Sequence, residues 1–251
     1  MTIDDRPLSG RTALITGASG GIGGSIARHL ARLGADLVLA HGRHADDAER
    51  AAQDAREVGA RAITTPGDLS DPDVPARLAD VAIGEFGAVD ILIANAGIGA
   101  PTPLQDVTLQ QWEETYAVNV TAPFLLAQRL LPAMYERSFG RVVFISSIAA
   151  LNGGVIGPHY ASSKAALHGL THSLAKDAAP HGVTVNAIAP ALIGGTRILP
   201  TDPSGGDELP MPIPVGRLGE PDEIGSVTAS VVTNGYLTNK IITVDGGLLP
   251  R

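Results

Sequence analysis

Short apolar runs rich in leucine and β-branched residues recur at 12–16, 36–40, 61–65, 90–94, 141–145, 183–188 and 241–244, and they predict seven strands. Between them lie longer alanine-rich segments, such as 22–33, 46–58 and 74–86, in which apolar residues return every three or four positions. That spacing predicts amphipathic helices. Gly34, Gly59 and Gly87 close these three helical runs, each where a left-handed residue commonly ends a helix. Strands that are apolar throughout need cover on both faces, and alternating helices supply it. The pattern therefore predicts an α/β chain with a central seven-stranded parallel sheet, doubly wound, in one domain over 1–251. One region follows neither period: LPTDPSGGDELPMPIP at 199–214 is expected as a loop over a site, part of a substrate loop or lid at 197–214.

Composition narrows the function classes. With 251 residues, 44% of them hydrophobic, the chain can bury a substantial core. The absence of cysteine excludes disulfides, thiolate metal sites and cysteine nucleophiles. A formal charge of −8, with only three lysines (Lys164, Lys176, Lys240) and scattered arginines, gives no basic stripe for nucleic acid. The most apolar stretch, 91–100, is broken by Asn95, Gly97 and Gly99 and is too short to span a membrane. Asp4 and Asp5 stand where an export signal would carry basic residues, so a cytoplasmic location is expected.

The segment ALITGASGGIGGSIARHLARLGA reads as strand, glycine turn and helix, the context of a phosphate-cradling loop. Gly17 permits the tight turn, Gly21 lets backbone N–H groups approach a pyrophosphate, and Gly23 lets the helix pack close to the sheet. No GK[ST] follows, which excludes a nucleoside triphosphate loop. Tyr160 and Lys164 lie four apart in YASSK, one helical turn, so both project from one face. An ammonium beside a phenol favours the phenolate and is expected to lower the tyrosine pKa from about 10.

The glycine turn is spelled TGxxxGxG, Thr16 to Gly23. It is followed in order by Asp68-Leu69, Asn95-Ala96-Gly97, Asn119, Ser147, Tyr160 with Lys164, Asn186 to Pro190, and Val244-Asp245-Gly246-Gly247. This ordered set resembles the short-chain dehydrogenase/reductase family over nearly the whole chain, 11–247. The resemblance implies a Rossmann fold that transfers hydride between a nicotinamide nucleotide and a carbonyl or secondary alcohol. It assigns Tyr160 as general acid/base, and Lys164 as its partner and ribose ligand. Ser147 becomes the donor to the substrate oxygen, and Asn119 the holder of a water that relays protons. It also implies nucleotide contacts from Gly17, Ser19, Gly20, Gly21, Ile22, Gly23, Asp68, Leu69, Asn95, Ala96, Gly97, Pro190, Ile193 and Thr196, and a homotetramer pairing through the helices of Asn119 and Tyr160. Ser146 is the competitor; the resemblance favours Ser147, whose spacing to Tyr160 matches the family's usual one, and strand alternation turns the two serines to opposite sides.

After the second strand the run Ala40-His41-Gly42-Arg43-His44 holds no acid until Asp46, and Arg43, with His41 or His44 beside it, can pair a 2′-phosphate. That favours NADP(H). Gly20 stands where NADP-preferring relatives carry a basic residue, which keeps NAD(H) open. The positions that match a substrate wall, Ile98, Ala149, Leu151, Asn152, His159 and Leu192, are mostly apolar and suit a small or medium neutral carbonyl compound. Pro132 and His181 stand where acyl-carrier reductases present arginines, and PALIGGT at 190–196 departs from the usual PGxxxT. The alternatives are an NAD-dependent alcohol dehydrogenase, a 3-oxoacyl thioester reductase, and a nucleotide-sensing protein without catalysis. His168 and His172 are four apart but have no third ligand in sequence, so no metal site is expected, and they are read as packing or interface residues. His159 is expected at the entrance, and Trp112 in the core or an interface.

Overall fold

In the computed structural model, which describes residues 6–198 and 212–250, seven parallel strands form one sheet in the order β3-β2-β1-β4-β5-β6-β7. The strands are β1 Thr12–Thr16, β2 Asp36–His41, β3 Ala62–Pro66, β4 Ile91–Ala94, β5 Gly140–Ile145, β6 Val183–Pro190 and β7 Ile241–Val244. Each lies within one or two residues of its sequence-derived bounds. The helices are α1 Gly21–Arg32, α2 Ala45–Glu57, α3 Val74–Phe86, α4 Leu109–Tyr116, α5 Ala122–Glu136, α6 Ala149–Asn152, α7 Pro158–Ala178 and α8 Pro221–Thr233. A π-helical turn, Ala117–Thr121, joins α4 to α5.

Alternation along the strands builds two cores. On one face Ala13, Ile15, Leu37, Leu39, Ile91, Ile93, Val143 and Ile145 pack with Ile26 and Leu30 of α1, Ala52 of α2 and Ile224 and Val232 of α8. On the other, Leu14, Val38, Leu92, Val142 and Phe144 pack with Leu78 of α3, Leu126 and Leu130 of α5 and Leu167 of α7. With a core on each face, the strands carry mainly apolar residues on both sides, as the sequence pattern required. A fully buried side chain such as Phe144 contributes about 1.5–3 kcal/mol.

Strand order reverses between β1 and β4, and the crevice at the carboxyl ends of these two strands is where a doubly wound sheet binds ligands. Gly34 (φ 99°), Gly59 (φ 89°) and Gly87 (φ 83°) all take the left-handed conformation after their helices. Among the described residues, no helix is long and apolar enough to cross a membrane.

Candidate active site

At the reversal, β1 and β4 are tied end to end. Thr16 Oγ1 accepts from the backbone N–H groups of Asn95 (3.1 Å) and Ala96 (3.1 Å). Asn95 Nδ2 donates to the carbonyls of Thr16 (2.9 Å) and Gly17 (3.1 Å). Gly17 turns the chain with φ 65°, and a Cβ there would stand 2.8 Å from Ala96 Cα. At Gly23 a Cβ would meet the Gly17 carbonyl at 2.4 Å, so α1 approaches the turn as closely as glycine allows. At Gly21 the obstacle would be the Gly195 carbonyl, 2.9 Å away, so this glycine also makes room for the chain after β6. Gly20 caps α1 with no side-chain hydrogen bond, which leaves the first N–H groups of the helix for a ligand. Bare N–H groups, a positive helix end and glycines whose side chains would close the cradle all fit a nucleotide phosphate.

Tyr160 and Lys164 rise from the first turns of α7 and are 7% and 3% exposed. Ser147, just beyond β5, hydrogen-bonds the Tyr160 phenol, and its Oγ also accepts from Ala149 N at 3.1 Å. Lys164 Nζ donates to the Ile145 carbonyl at 2.9 Å and lies 5.8 Å from the Tyr160 ring centroid. The expected lowering of the phenol pKa is overturned. Burial pushes it up to about 12, against a smaller downward pull from Ser147, and burial pushes Lys164 down to about 8. Desolvation sets the direction for both groups, and the ammonium turns to a carbonyl. Glycines make room here too: a Cβ at Gly97 would be 3.0 Å from Lys164 Nζ, and one at Gly99 would be 2.6 Å from the Tyr160 ring.

Asn119 is fully buried in the π-turn. Its Oδ1 accepts from Ile98 N (2.8 Å), and its Nδ2 donates to Ile98 O (2.9 Å) and Ser163 Oγ (3.0 Å). Asn119 thus pins the loop after β4 to α7, a recurrent use of π-turns at functional sites. Ser146 faces away from the site: its Oγ donates to Lys164 O (3.0 Å) and meets His168 Nε2 (2.9 Å). His172 Nδ1 meets Asn239 Oδ1 at 2.6 Å, so the two histidines have separate partners, and the described residues hold no cluster able to bind a metal. His159 is wholly buried rather than at the entrance, and burial pulls its pKa down. Trp112 is no core residue: it is 36% exposed and stacks on Tyr116 with ring centroids 4.9 Å apart.

Beyond β2, Arg43 and His44 are exposed, while His41 is buried with Nδ1 bonded to Gly42 O at 3.0 Å. His41 therefore does not stand beside Arg43 at the surface. Asp68 accepts from Ser70 N (3.0 Å) and Ser70 Oγ (2.8 Å). These bonds, and more weakly the Arg43 charge, hold its carboxyl below the usual range. Leu69 packs on the core. Past Pro190, the end of β6, Ile193 is buried beside Gly219, and Thr196 Oγ1 donates to Ile193 O at 2.8 Å. Arg197 Nη2 reaches Ser19 O (3.1 Å) and the Asp47 carboxylate. Of the expected lid, 199–211 lies outside the described residues.

Residues 11–204 match the short chain dehydrogenase family. The chain belongs to that family. Over 240 residues it is 33% identical to the acetoacetyl-CoA reductase of Cupriavidus necator, covering 95% of this chain and 98% of that one. It is 35% identical to the L-rhamnose 1-dehydrogenase (NADP(+)) of Thermoplasma acidophilum, covering 96% of each. Among solved structures it superimposes on a 3-oxoacyl (acyl-carrier-protein) reductase of Agrobacterium tumefaciens with NADP bound. There the TM-score is 0.90 and the identity 33%, over 98% of both chains. This short-chain dehydrogenase is thus an oxidoreductase of CH–OH and C=O groups that uses a nicotinamide nucleotide.

Four residues of the site were given no role from the sequence: Thr16, Gly99, Ser163 and Arg197. Thr16 begins the glycine motif, and Gly99 follows Asn95-Ala96-Gly97 by two positions, so both carried a local signal. Ser163, whose Oγ donates to Tyr160 O at 2.7 Å and accepts from Asn119, carried none, because its partner is 44 residues away.

Proposed function

We propose that this dehydrogenase is an NADP(H)-dependent enzyme interconverting a small or medium neutral ketone and its secondary alcohol. The observation that carries the reading is the convergence of Ser147, Tyr160 and Lys164 past the carboxyl end of β5, in a fold whose α1 starts uncapped past the carboxyl end of β1. The nicotinamide, when bound, supplies hydride to the carbonyl carbon or takes it from the alcohol. Tyr160 gives the matching proton to the oxygen in reduction and removes it in oxidation. Ser147 donates to the same oxygen as charge develops there, and Lys164 holds the ribose and keeps the phenol poised. Asn119 fixes the loop at Gly97-Ile98 and, through a water, connects Lys164 to solvent.

Burial, which pushes the phenol up to about 12, keeps Tyr160 protonated at neutral pH, the form that the reducing direction consumes. Arg43, exposed beside the site and acting on Asp68, supports recognition of a 2′-phosphate. Gly17, Ser19, Gly20, Gly21, Ile22, Gly23, Asn95, Ala96 and Gly97 would line the phosphate and ribose path. Pro190, Ile193 and Thr196 would line the nicotinamide end. The apolar wall of Ile98, Ala149, Leu151 and Leu192 suits a neutral substrate. Pro132 inside α5, and His181 stacked on Tyr135 at 4.6 Å, occupy the two positions at which carrier-protein reductases present arginines. Exposed Leu109 (72%), Trp112 and Phe124 (40%) on α4 and α5 support pairing through these helices in a homotetramer.

The test is a fluorescence titration of the native protein, Tyr160→Phe and Arg43→Ala with NADPH and NADH, followed by turnover on neutral ketones. Tyr160→Phe should bind NADPH normally and lose nearly all turnover. Arg43→Ala should weaken NADPH far more than NADH. Retained turnover removes Tyr160 as the acid, and equal effects on the two nucleotides remove the 2′-phosphate role.

A further inference from the structure

Gly20 leaves the glycine turn without a side chain, and the space above it is open: a Cβ there would meet nothing nearer than the Gly17 carbonyl at 3.4 Å. The cation that reaches this turn comes from far along the chain. Arg197, just past β6, bonds Ser19 O, 178 residues away, and pairs with Asp47 in the first turn of α2. Asp47 is also paired with Arg50, so one carboxylate is shared by two guanidinium groups. Arg43 lies on the loop immediately before α2.

We propose that Arg197 is a nucleotide-specificity residue: with Arg43 it grips the 2′-phosphate of the cofactor, supplying from the chain after β6 the cation that Gly20 lacks. This rests on the NADP(H) reading above. The guanidinium bridges the glycine turn and the start of α2, the two elements between which the adenosine ribose of a doubly wound fold sits. Both of its contacts run through Nη2, and a guanidinium has five N–H donors in a fork that suits a phosphate. It also neutralises Asp47, which alone would repel a phosphate and accept bonds from a bare ribose. Its side chain is 48% exposed, so a dianion can reach it.

The test uses calorimetry on the full chain, with adenosine 2′,5′-bisphosphate against 5′-ADP and NADPH against NADH, for the native protein, Arg197→Met, Arg197→Lys and Arg43→Ala. Loss of one charge-assisted contact should weaken the two 2′-phosphorylated ligands by roughly 10- to 100-fold in Arg197→Met, with 5′-ADP and NADH held within about threefold. Arg197→Lys should lie between native and Arg197→Met. If Arg197→Met does not fold, the lysine variant, which keeps the charge but not the fork, still reads the contact. Equal weakening of all four ligands makes Arg197 a strut between β6 and α2 and overturns the proposal; so does no weakening. If the native protein prefers NADPH and only Arg43→Ala erases the preference, the proposal alone fails. If the native protein prefers NADH, the NADP(H) reading itself has failed.

Discussion

Lys164→Met should yield a more stable protein that no longer turns over substrate. The ammonium is 3% exposed, and burial lowers its pKa from 10.5 to about 8. At ~1.4 kcal/mol per pH unit, that drop is a penalty of about 3 kcal/mol on the folded, charged state at neutral pH. Because the folded value lies below the unfolded one, the penalty is full below pH 8, shrinks between about pH 8 and 10.5, and vanishes above. Methionine keeps most of the stem volume and removes the charge, but loses the 2.9 Å bond to the Ile145 carbonyl, worth roughly 1–2 kcal/mol. The net gain at pH 7 is about 1–2 kcal/mol, a rise in Tm of roughly 2–8 °C for a chain of this size. The assay is urea unfolding of both proteins at pH 7 and pH 10, at one protomer concentration because association shifts apparent stability. Tyr160, raised from 10.0 to about 12, costs stability only as pH climbs above about 10, so the comparison between pH 7 and pH 10 reads mainly Lys164. A variant no more stable than native at pH 7, or a gap that does not narrow toward pH 10, would refute the assignment of Lys164 as a buried charge carried for function.

Gly23→Ala should cost about 1–3 kcal/mol and abolish nucleotide binding, because its methyl would sit 2.4 Å from the Gly17 carbonyl; thermal unfolding and NADPH titration check both, and an unperturbed variant would mean the turn yields freely. Asn119→Ala strands the polar groups of Ile98 and should lower stability by roughly 3 kcal/mol, read by urea unfolding, while an undiminished midpoint would require another anchor for that loop. Dialysis against a chelator should leave turnover unchanged, and a loss restored by zinc or magnesium would overturn the separate roles given to His168 and His172.

The strands were legible because a sheet covered on both faces leaves few polar positions, and runs such as that of β4 can then be little else. The pairing of Tyr160 with Lys164 was legible because one helical turn fixes it. Their ionisation was not, since sequence spacing reports proximity and is silent on desolvation, which decided the sign for both. His159 was misplaced because its burial depends on tertiary neighbours such as Ala100, in the loop after β4, which spacing along α7 does not report. The π-turn around Asn119 has no period of its own to detect. Arg197 escaped notice because its partners, Ser19 and Asp47, lie 178 and 150 residues away.

The sheet is also a partition. The glycine-turn helix α1 belongs to one apolar layer and the catalytic helix α7 to the other, with alternate residues of the same strands feeding each. Substitutions in α7 and its neighbours can therefore reshape the substrate side while the nucleotide side keeps its own packing, and changes in separate layers add nearly independently. At the strand reversal the tie of Thr16 to Asn95 holds the ends of β1 and β4 together, where both sides meet the site. A scaffold divided in this way can exchange one alcohol for another without relearning its cofactor, and relatives named for a thioester and for a sugar are what such a division would leave behind.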